Sequence, residues 1–293
     1  MISHWRPILK NIAKKQPKSE PARHARKAFL KNSQKKPFSF STLILTLTLI
    51  FLFFPLIIII FYSFNENKGA EFTNVSLYWY KELFTNSDDL WKAFSNSLII
   101  AITAGIASTV LGTLAAVGVR WHTFKGKAYI QGISFLPMVL PEVIIGVSTV
   151  IFFAGIGFPL GMFTIFAAHT TFCLPFVFLM VLARLDEFDY SIVEAAHDLG
   201  ATEQQALLKV VIPAILPGVA SGFLMAVTMS LEDFVITFFV SGPGSTTLPL
   251  YVYSMIRFGV SPVINALSLI IILATILIAF TMRKFLKTIA ASK

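Results

Sequence analysis

A chain of 293 residues that is 56% hydrophobic and 13% charged, with 29 Phe, has too little polar surface for a water-soluble domain; it reads as a polytopic membrane protein. Its formal charge of +9 is concentrated: residues 1–38 hold eleven Lys and Arg against one acid, Glu20, so the rest of the chain is close to neutral. A single cysteine, Cys173, excludes an intrachain disulfide and a Cys-based metal site.

Residues 1–38 lack apolar periodicity and read as a disordered basic tail held near anionic lipid on the cytoplasmic side, with nucleic acid not the expected partner. The tail is too long, and the apolar run after it begins too late, for an ordinary cleaved signal peptide. A helix needs about 20 apolar residues to cross the hydrocarbon core. Six segments reach that length, at residues 40–64, 96–119, 129–153, 162–183, 215–240 and 263–282. The expected fold is all-α, with six transmembrane helices in a domain over residues 39–285 and a short cytoplasmic tail over 286–293. Lys and Arg cluster before the first span, between the second and third (Arg120, Lys125, Lys127) and after the sixth (Arg283, Lys284, Lys287, Lys293). By the positive-inside rule, both termini are expected in the cytoplasm.

In the second span Ala104, Ser108, Gly112 and Ala116 recur every four residues, a small face for close helix packing. Pro137 and Pro141 bend the third span and free carbonyls that lipid cannot satisfy, so this part is expected to face protein or a water-lined path. Glu142 aligns with Gly146 and Thr149, an acid beside a narrow polar groove. The intramembrane His169 is read as a packed or interface histidine rather than a ligand, since no second His or Cys stands at metal-ligand spacing.

Between spans four and five lies RLDEFDYSIVEAAHDLGATEQQALLKVVIP, residues 184–213. Residues 191–199 suit a short helix, with Gly200 where a left-handed C-terminal cap is wanted. Thr202 and Gln205 form a capping-box signature for a second helix, which Pro213 and Pro217 are expected to limit. The pair makes a rigid knob suited to docking in a groove on a soluble partner.

The fifth span sorts into two arcs at 100° per residue. Phe223, Leu224, Val227, Leu231, Phe234, Val235 and Phe238 fill one; Ser221, Gly222, Met225, Thr228, Met229, Glu232 and Asp233 fill the other. An ionised carboxylate near the bilayer centre costs at least ~2.5–3.5 kcal/mol. No span interior holds Lys or Arg, so a cationic ligand would complement Glu232 and Asp233, with Met225 and Met229 as an adaptable apolar lining. The other reading is that the acids hydrogen-bond a partner or cap a broken helix. Tyr78, Trp79 and Tyr80 read as an interfacial anchor rather than a cation–π site.

The run Glu194, Ala195, Ala196, then Gly200, then Val210, Ile212 and Pro213 before the penultimate span resembles the signature of permease subunits of bacterial ABC importers. It departs only in its aliphatic positions. The segments SFNENKGAEF, LYWYKELF, LPMVLPEVIIG and SLEDFVITFFVSGPGSTTLPLYVYSMIRFGVSPVINAL resemble the spermidine/putrescine permease subunits of the C type over most of residues 40–283. The resemblance implies a type I ABC importer permease fold in the bacterial inner membrane, with Glu194, Ala195, Ala196, Asp198, Gly200 and Pro213 coupling to ATPases. It implies a second homologous permease, two ATPase subunits that use MgATP, and an extracytoplasmic binding protein docking near residues 241–262. No cofactor or metal is expected in this chain, and it lacks the Gly-x4-Gly-Lys-Ser/Thr phosphate loop. Glu232, Asp233, Glu142, Thr228 and Met229 are the substrate-path candidates. The alternatives are another cationic or zwitterionic cargo, or a proton-coupled carrier with an acid relay. The carrier would call for repeat-related halves with paired broken helices, and no duplication is visible in the six spans.

Overall fold

A computed structural model of the chain describes residues 40–69, 71–258 and 261–291, so the basic tail over 1–38 lies outside the described residues. The described residues divide into two units, 40–61 and 62–291. In the first, helix α1 (Phe40–Tyr62) is a predominantly apolar run of 23 residues with Pro55 inside it. At 1.5 Å per residue it is about 34 Å long, enough to cross the hydrocarbon core.

The second unit holds α2 (Tyr78–Thr85), α3 (Asp88–Trp121), α4 (Lys127–Val139), α5 (Glu142–Gly155), α6 (Met162–Asp186) and α7 (Ser191–Asp198). A short α8 (Glu203–Ala206) then runs through a π-helical turn (Leu207–Val211) into α9 (Ile212–Glu232). After it come α10 (Val235–Val240), α11 (Leu248–Phe258) and α12 (Pro262–Ala291).

The core is built on α6, whose Ile165, Cys173, Val177, Phe178, Val181 and Leu185 are fully buried. Helices come this close without a hydrophobic driving force only where side chains are small. The expected stripe on α3 is used in this way: Ala104, Ser108, Gly112 and Ala116 are all buried. A Cβ at Gly112 would lie 3.0 Å from Val177 Cβ and 3.1 Å from the Phe178 nitrogen. A second stripe, Gly218, Gly222, Ala226 and Ser230 on α9, also meets α6, and both stripes approach Val177. There a Cβ at Gly218 would lie 2.8 Å from Arg184 Cβ, and one at Gly222 would lie 3.2 Å from Val177 Cγ1. The sequence reading found only the first stripe.

Among the described residues, four helical segments are long and apolar enough to cross a membrane alone: Phe40–Tyr62, Asp88–Trp121, Met162–Asp186 and Glu203–Glu232. A fifth counts if α4 and α5 are one broken span, and α12 adds the shorter apolar stretch Pro262–Ile278. Two expected spans are therefore not single helices. The third turns by 108° between α4 and α5, because Pro141 forces the residue before it out of the helical region. Leu140 is accordingly extended (φ −75°, ψ 135°). The fifth breaks after Glu232, where Asp233 is extended (φ −63°, ψ 123°).

The expectation that Pro213 and Pro217 stop the helix is not met: helix runs from Glu203 to Glu232. In the π-helical turn the Ile212 N–H reaches back to the Leu207 carbonyl, five residues away. That wider turn shifts the register where Pro213 has no donor to give. Pro213 itself stands in the first turn of α9, where the lack of a donor is best tolerated.

The α3–α6 contact yields a measurable expectation. Gly112→Val places a branched side chain against Val177 and the Phe178 backbone, and overpacking of this kind costs about 1–3 kcal/mol. The thermal midpoint of the purified protein in detergent should fall, while Gly132→Val, where a Cβ meets nothing within 4 Å, should leave it unchanged.

Candidate functional site: three acids at two helix breaks

Both breaks expose backbone donors that hydrocarbon cannot satisfy, and at both an acid stands at the start of the following helix. At the second break the Asp233 carboxylate covers the start of α10. Its Oδ1 accepts the Ile236 N–H at 3.2 Å, and its Oδ2 accepts the Thr237 N–H and the Thr237 hydroxyl, each at 2.9 Å. The carboxylate is also held from α6. His169, 1% exposed, lies with Nε2 3.0 Å from Asp233 Oδ2 and 3.0 Å from Thr237 Oγ1. Its Nδ1 lies 2.7 Å from Ser230 Oγ. One tautomer satisfies the set: Nε2–H donates to the carboxylate, and Nδ1 accepts the Ser230 hydroxyl.

The sequence reading named no partner for the acids within the chain, because it counted only Lys and Arg. His169 is that partner for Asp233. It is a packed histidine as expected, but the residue it serves lies 64 positions away. The signal available in sequence was that an intramembrane histidine and an acid in adjacent spans each need a partner.

At the first break Glu142 opens α5, where a negative charge is favoured by the positive end of the helix dipole. Helices α5 and α10 pack together, and a Cβ at Gly146 would lie 2.8 Å from Phe239 Cδ2. The polar groove expected beside Glu142 is thus filled by a phenyl ring, and the Thr149 hydroxyl turns to the Ile145 carbonyl at 2.7 Å. Glu142 stands at the first break as Glu232 and Asp233 stand at the second, and the helices that follow the two breaks, α5 and α10, pack together. Glu142 and Glu232 are exposed, while Asp233 is 7% exposed. Thr228, exposed, and Met229, half-buried, stand one turn before Glu232 on α9. Helix α9 ends at Glu232, so a single helical wheel does not describe the residues beyond it. Phe234 and Phe238 instead meet Tyr253 of α11, with ring centroids 4.6 and 6.2 Å away.

At the end of the bundle carrying Arg120, the knob has the expected local structure. Helix α7 closes at Gly200, whose φ of +87° is left-handed, so a side chain there would be strained. The Gln205 N–H bonds Thr202 Oγ1 at 3.3 Å and the Thr202 N–H bonds Gln205 Oε1 at 3.1 Å, closing the capping box. Asp189 accepts the Ser191 N–H, which holds its carboxyl below the usual range. The knob is pinned by Arg120, which pairs with Asp186 at 3.3 Å and lies over the Tyr190 ring at 5.3 Å. Glu194, Ala195, Asp198 and Gly200 are exposed and Ala196 is half-buried. Sequence reasoning missed two apolar members of this surface: Leu199 is 90% exposed and Ile192 50%.

At the opposite end, Asn96 Nδ2 donates to the carbonyls of Gly244 and Thr246, and Ser97 Oγ accepts the Leu248 N–H at 2.7 Å. These bonds tie the 241–250 loop to α3 beside a cavity of about 520 Å³ lined by Asp89, Lys92, Phe238, Tyr253 and Arg257 among others. The Tyr78–Tyr80 cluster is built into the fold. Trp79 is buried and donates to the Asn65 carbonyl at 2.8 Å, Tyr80 bonds Ser63, and Lys68 lies 5.8 Å from the Trp79 ring centre.

This arrangement is the fold of an ABC importer permease. The chain superposes on a crystal structure of a bacterial ABC transporter that imports the acidic polysaccharide alginate, with TM-score 0.66 at 16% identity, covering 86% of this chain and 99% of that one. It also superposes on an inward-facing MetNI methionine ABC transporter, with TM-score 0.54 at 20% identity, covering 68% and 93%. In sequence it is 38% identical over 223 residues to the spermidine/putrescine transport system permease protein PotC of Escherichia coli K12, covering 76% of this chain and 84% of that protein. It is 43% identical over 237 residues to the putrescine transport system permease protein PotI of the same organism, covering 77% and 83%. Residues 108–290 match the pattern of the binding-protein-dependent transport system inner membrane component. The chain belongs to that family and is a transport permease subunit of the inner membrane. The paired helix breaks, which the sequence reading associated with secondary carriers, here belong to an ABC permease.

Removing the cap at the second break gives a second expectation. Asp233→Ala leaves the Ile236 and Thr237 N–H groups and His169 without their acceptor, and cap loss alone costs about 1–2 kcal/mol. The melting midpoint of the purified protein should drop by several degrees, and Glu232→Ala should not reproduce the drop.

Proposed function

We propose that this chain forms half of the translocation pathway of an ATP-driven importer for polyamines. The observation that supports the reading is a pair of exposed acids at the two helix breaks, Glu142 opening α5 and Glu232 ending α9, where no span interior holds a Lys or Arg, in a chain 38–43% identical to PotC and PotI. The exposed carboxylates of Glu232 and Glu142 form an anionic station for ammonium groups. Thr228 and Met229, on the turn before Glu232, line its approach for a methylene chain.

Both termini lie in the cytoplasm, as the Lys/Arg distribution argues. The complete machine contains a second homologous permease and two ATPase subunits that hydrolyse MgATP. A binding protein docks on the extracytoplasmic side near residues 241–262. Glu194, Ala195, Ala196, Asp198 and Gly200 form the contact with one ATPase, and Pro213 seats the turn behind it. Ile192 and Leu199 are the apolar part that enters a groove, so that closure of the ATPases moves α7 and with it the membrane helices.

Two measurements test the reading on the assembled transporter in proteoliposomes. Glu232→Gln should lower radiolabelled spermidine uptake by about tenfold, the loss of one charge interaction in a poorly solvated path. Unchanged affinity and rate would remove Glu232 from the path, and wild-type uptake of another cation in preference to spermidine or putrescine would reassign the cargo. Leu199→Asp should reduce ATPase co-purification by about tenfold, since a desolvated apolar anchor typically carries a contact of this kind; full co-purification would remove the knob from the interface.

A further inference from the structure

Glu232 and Asp233 are neighbours in sequence with opposite surroundings. The Asp233 carboxylate takes four donors: the Ile236 N–H, the Thr237 N–H, the Thr237 hydroxyl and His169 Nε2. Oδ2 takes three of them and Oδ1 one, so the protein itself supplies most of the donors this acid can accept. Glu232 is exposed and has no hydrogen bond or ion pair among the described residues.

His169 reaches both sides of the break between them. Its Nδ1 meets Ser230 in the last turn of α9, and its Nε2 meets Asp233 and Thr237, which open α10. The ring is carried by α6, the best-buried helix of the bundle, so both halves of the fifth span are referred to one rigid element. Without it, α10 keeps a tie to α6 only at its far end, where Thr164 Oγ1 donates to the Val240 carbonyl at 2.7 Å; among the described residues no other side-chain hydrogen bond joins Asp233 and Thr237 to Ser230 or to α6.

We propose that His169 is a positioning residue for cargo passage: its imidazole staples the two halves of the broken span across Asp233, and so fixes where Glu232, and not Asp233, presents a free carboxylate to a cationic cargo. This rests on the polyamine reading for the cargo, and on the geometry alone for the staple.

The test uses the whole transporter in proteoliposomes, with spermidine and putrescine uptake expressed per assembled complex. His169→Gln keeps an N–H donor and should retain uptake within about threefold, whereas His169→Leu keeps bulk without the donor and should lose about tenfold. Combining His169→Leu with Glu232→Gln should lose no more than about twofold beyond Glu232→Gln alone, because residues acting as a unit are not additive. A readout independent of cargo is available because Cys173 is fully buried. A cationic, membrane-impermeant thiol reagent should label a Glu232→Cys chain at a rate that His169→Leu changes about tenfold, while a Thr228→Cys chain changes less than about twofold.

Uptake by His169→Leu within about twofold of wild type, additive losses in the double variant, or unaltered labelling at residue 232 would each overturn the proposal. A wild-type complex that moves neither polyamine, while labelling at 232 still responds to His169, would uphold the staple and overturn the cargo reading. If His169→Leu fails to assemble, Ser230→Ala removes only the hydroxyl on Nδ1 and should lower uptake about threefold with the same sense of change at residue 232; no change in either overturns the proposal.

Discussion

Hydrocarbon offers no hydrogen bond, and a span that breaks inside it must be repaired from within the protein. The break at Asp233 is repaired by His169, and that repair is possible only because α9 approaches α6 closely. The approach depends on Gly218, Gly222 and Ala226, and the fourth member of the same stripe, Ser230, is the residue that seats the imidazole. Packing and polar satisfaction are therefore one arrangement. A larger side chain along that stripe would move the ring away from the carboxylate it serves, and Asp233 would become a buried charge short of a donor.

The same helix pair reaches the other end of the molecule. Arg184, near the end of α6, lies against Gly218 of α9, and Asp186 next to it pairs with Arg120 of α3. Tyr190, which starts the knob, lies tilted against Trp121, with ring centroids 6.1 Å apart, and under the Arg120 guanidinium. The knob is thus attached to the ends of α3 and α6, the two helices whose mutual packing is the most extensive in the bundle. Through α8 and the π-helical turn the chain also continues from the knob into α9, so three packed helices meet there.

Features with a local cause were readable in the sequence. The α3 stripe follows from residue size at a spacing of four, Gly200 from the need for a left-handed cap, and the Thr202–Gln205 box from a spacing of three. What was not readable depends on what lies across the helix interface. Proline shows this well. Pro141 ends a helix because its own neighbour Leu140 is extended, whereas Pro213, equally suspect in sequence, is absorbed by a π-helical turn upstream. The two cases are not distinguished by composition. The pairing of His169 with Asp233 is also invisible to any helical period, because its partners sit on separate elements. Leu199 escaped notice for a simpler reason: an apolar residue in a short amphipathic helix is ordinarily buried, and here it is not.

The division between the two acids has an electrostatic basis beyond hydrogen bonding. A helix carries partial positive charge at its N-terminus and partial negative charge at its C-terminus. Asp233 covers the N–H groups that open α10, where its charge is favoured and its donors are at hand. Glu232 ends a continuous helix that began at Glu203, where the carbonyl ends add to its own charge. One acid is satisfied by the fold, and the other is left at the negative end of a long helix, facing outward near Glu142. Such a carboxylate gains more from a passing cation than from any group the chain supplies. As the proposed station, an exposed and singly charged carboxylate would hold a cation loosely, which suits a path whose cargo must leave as readily as it enters.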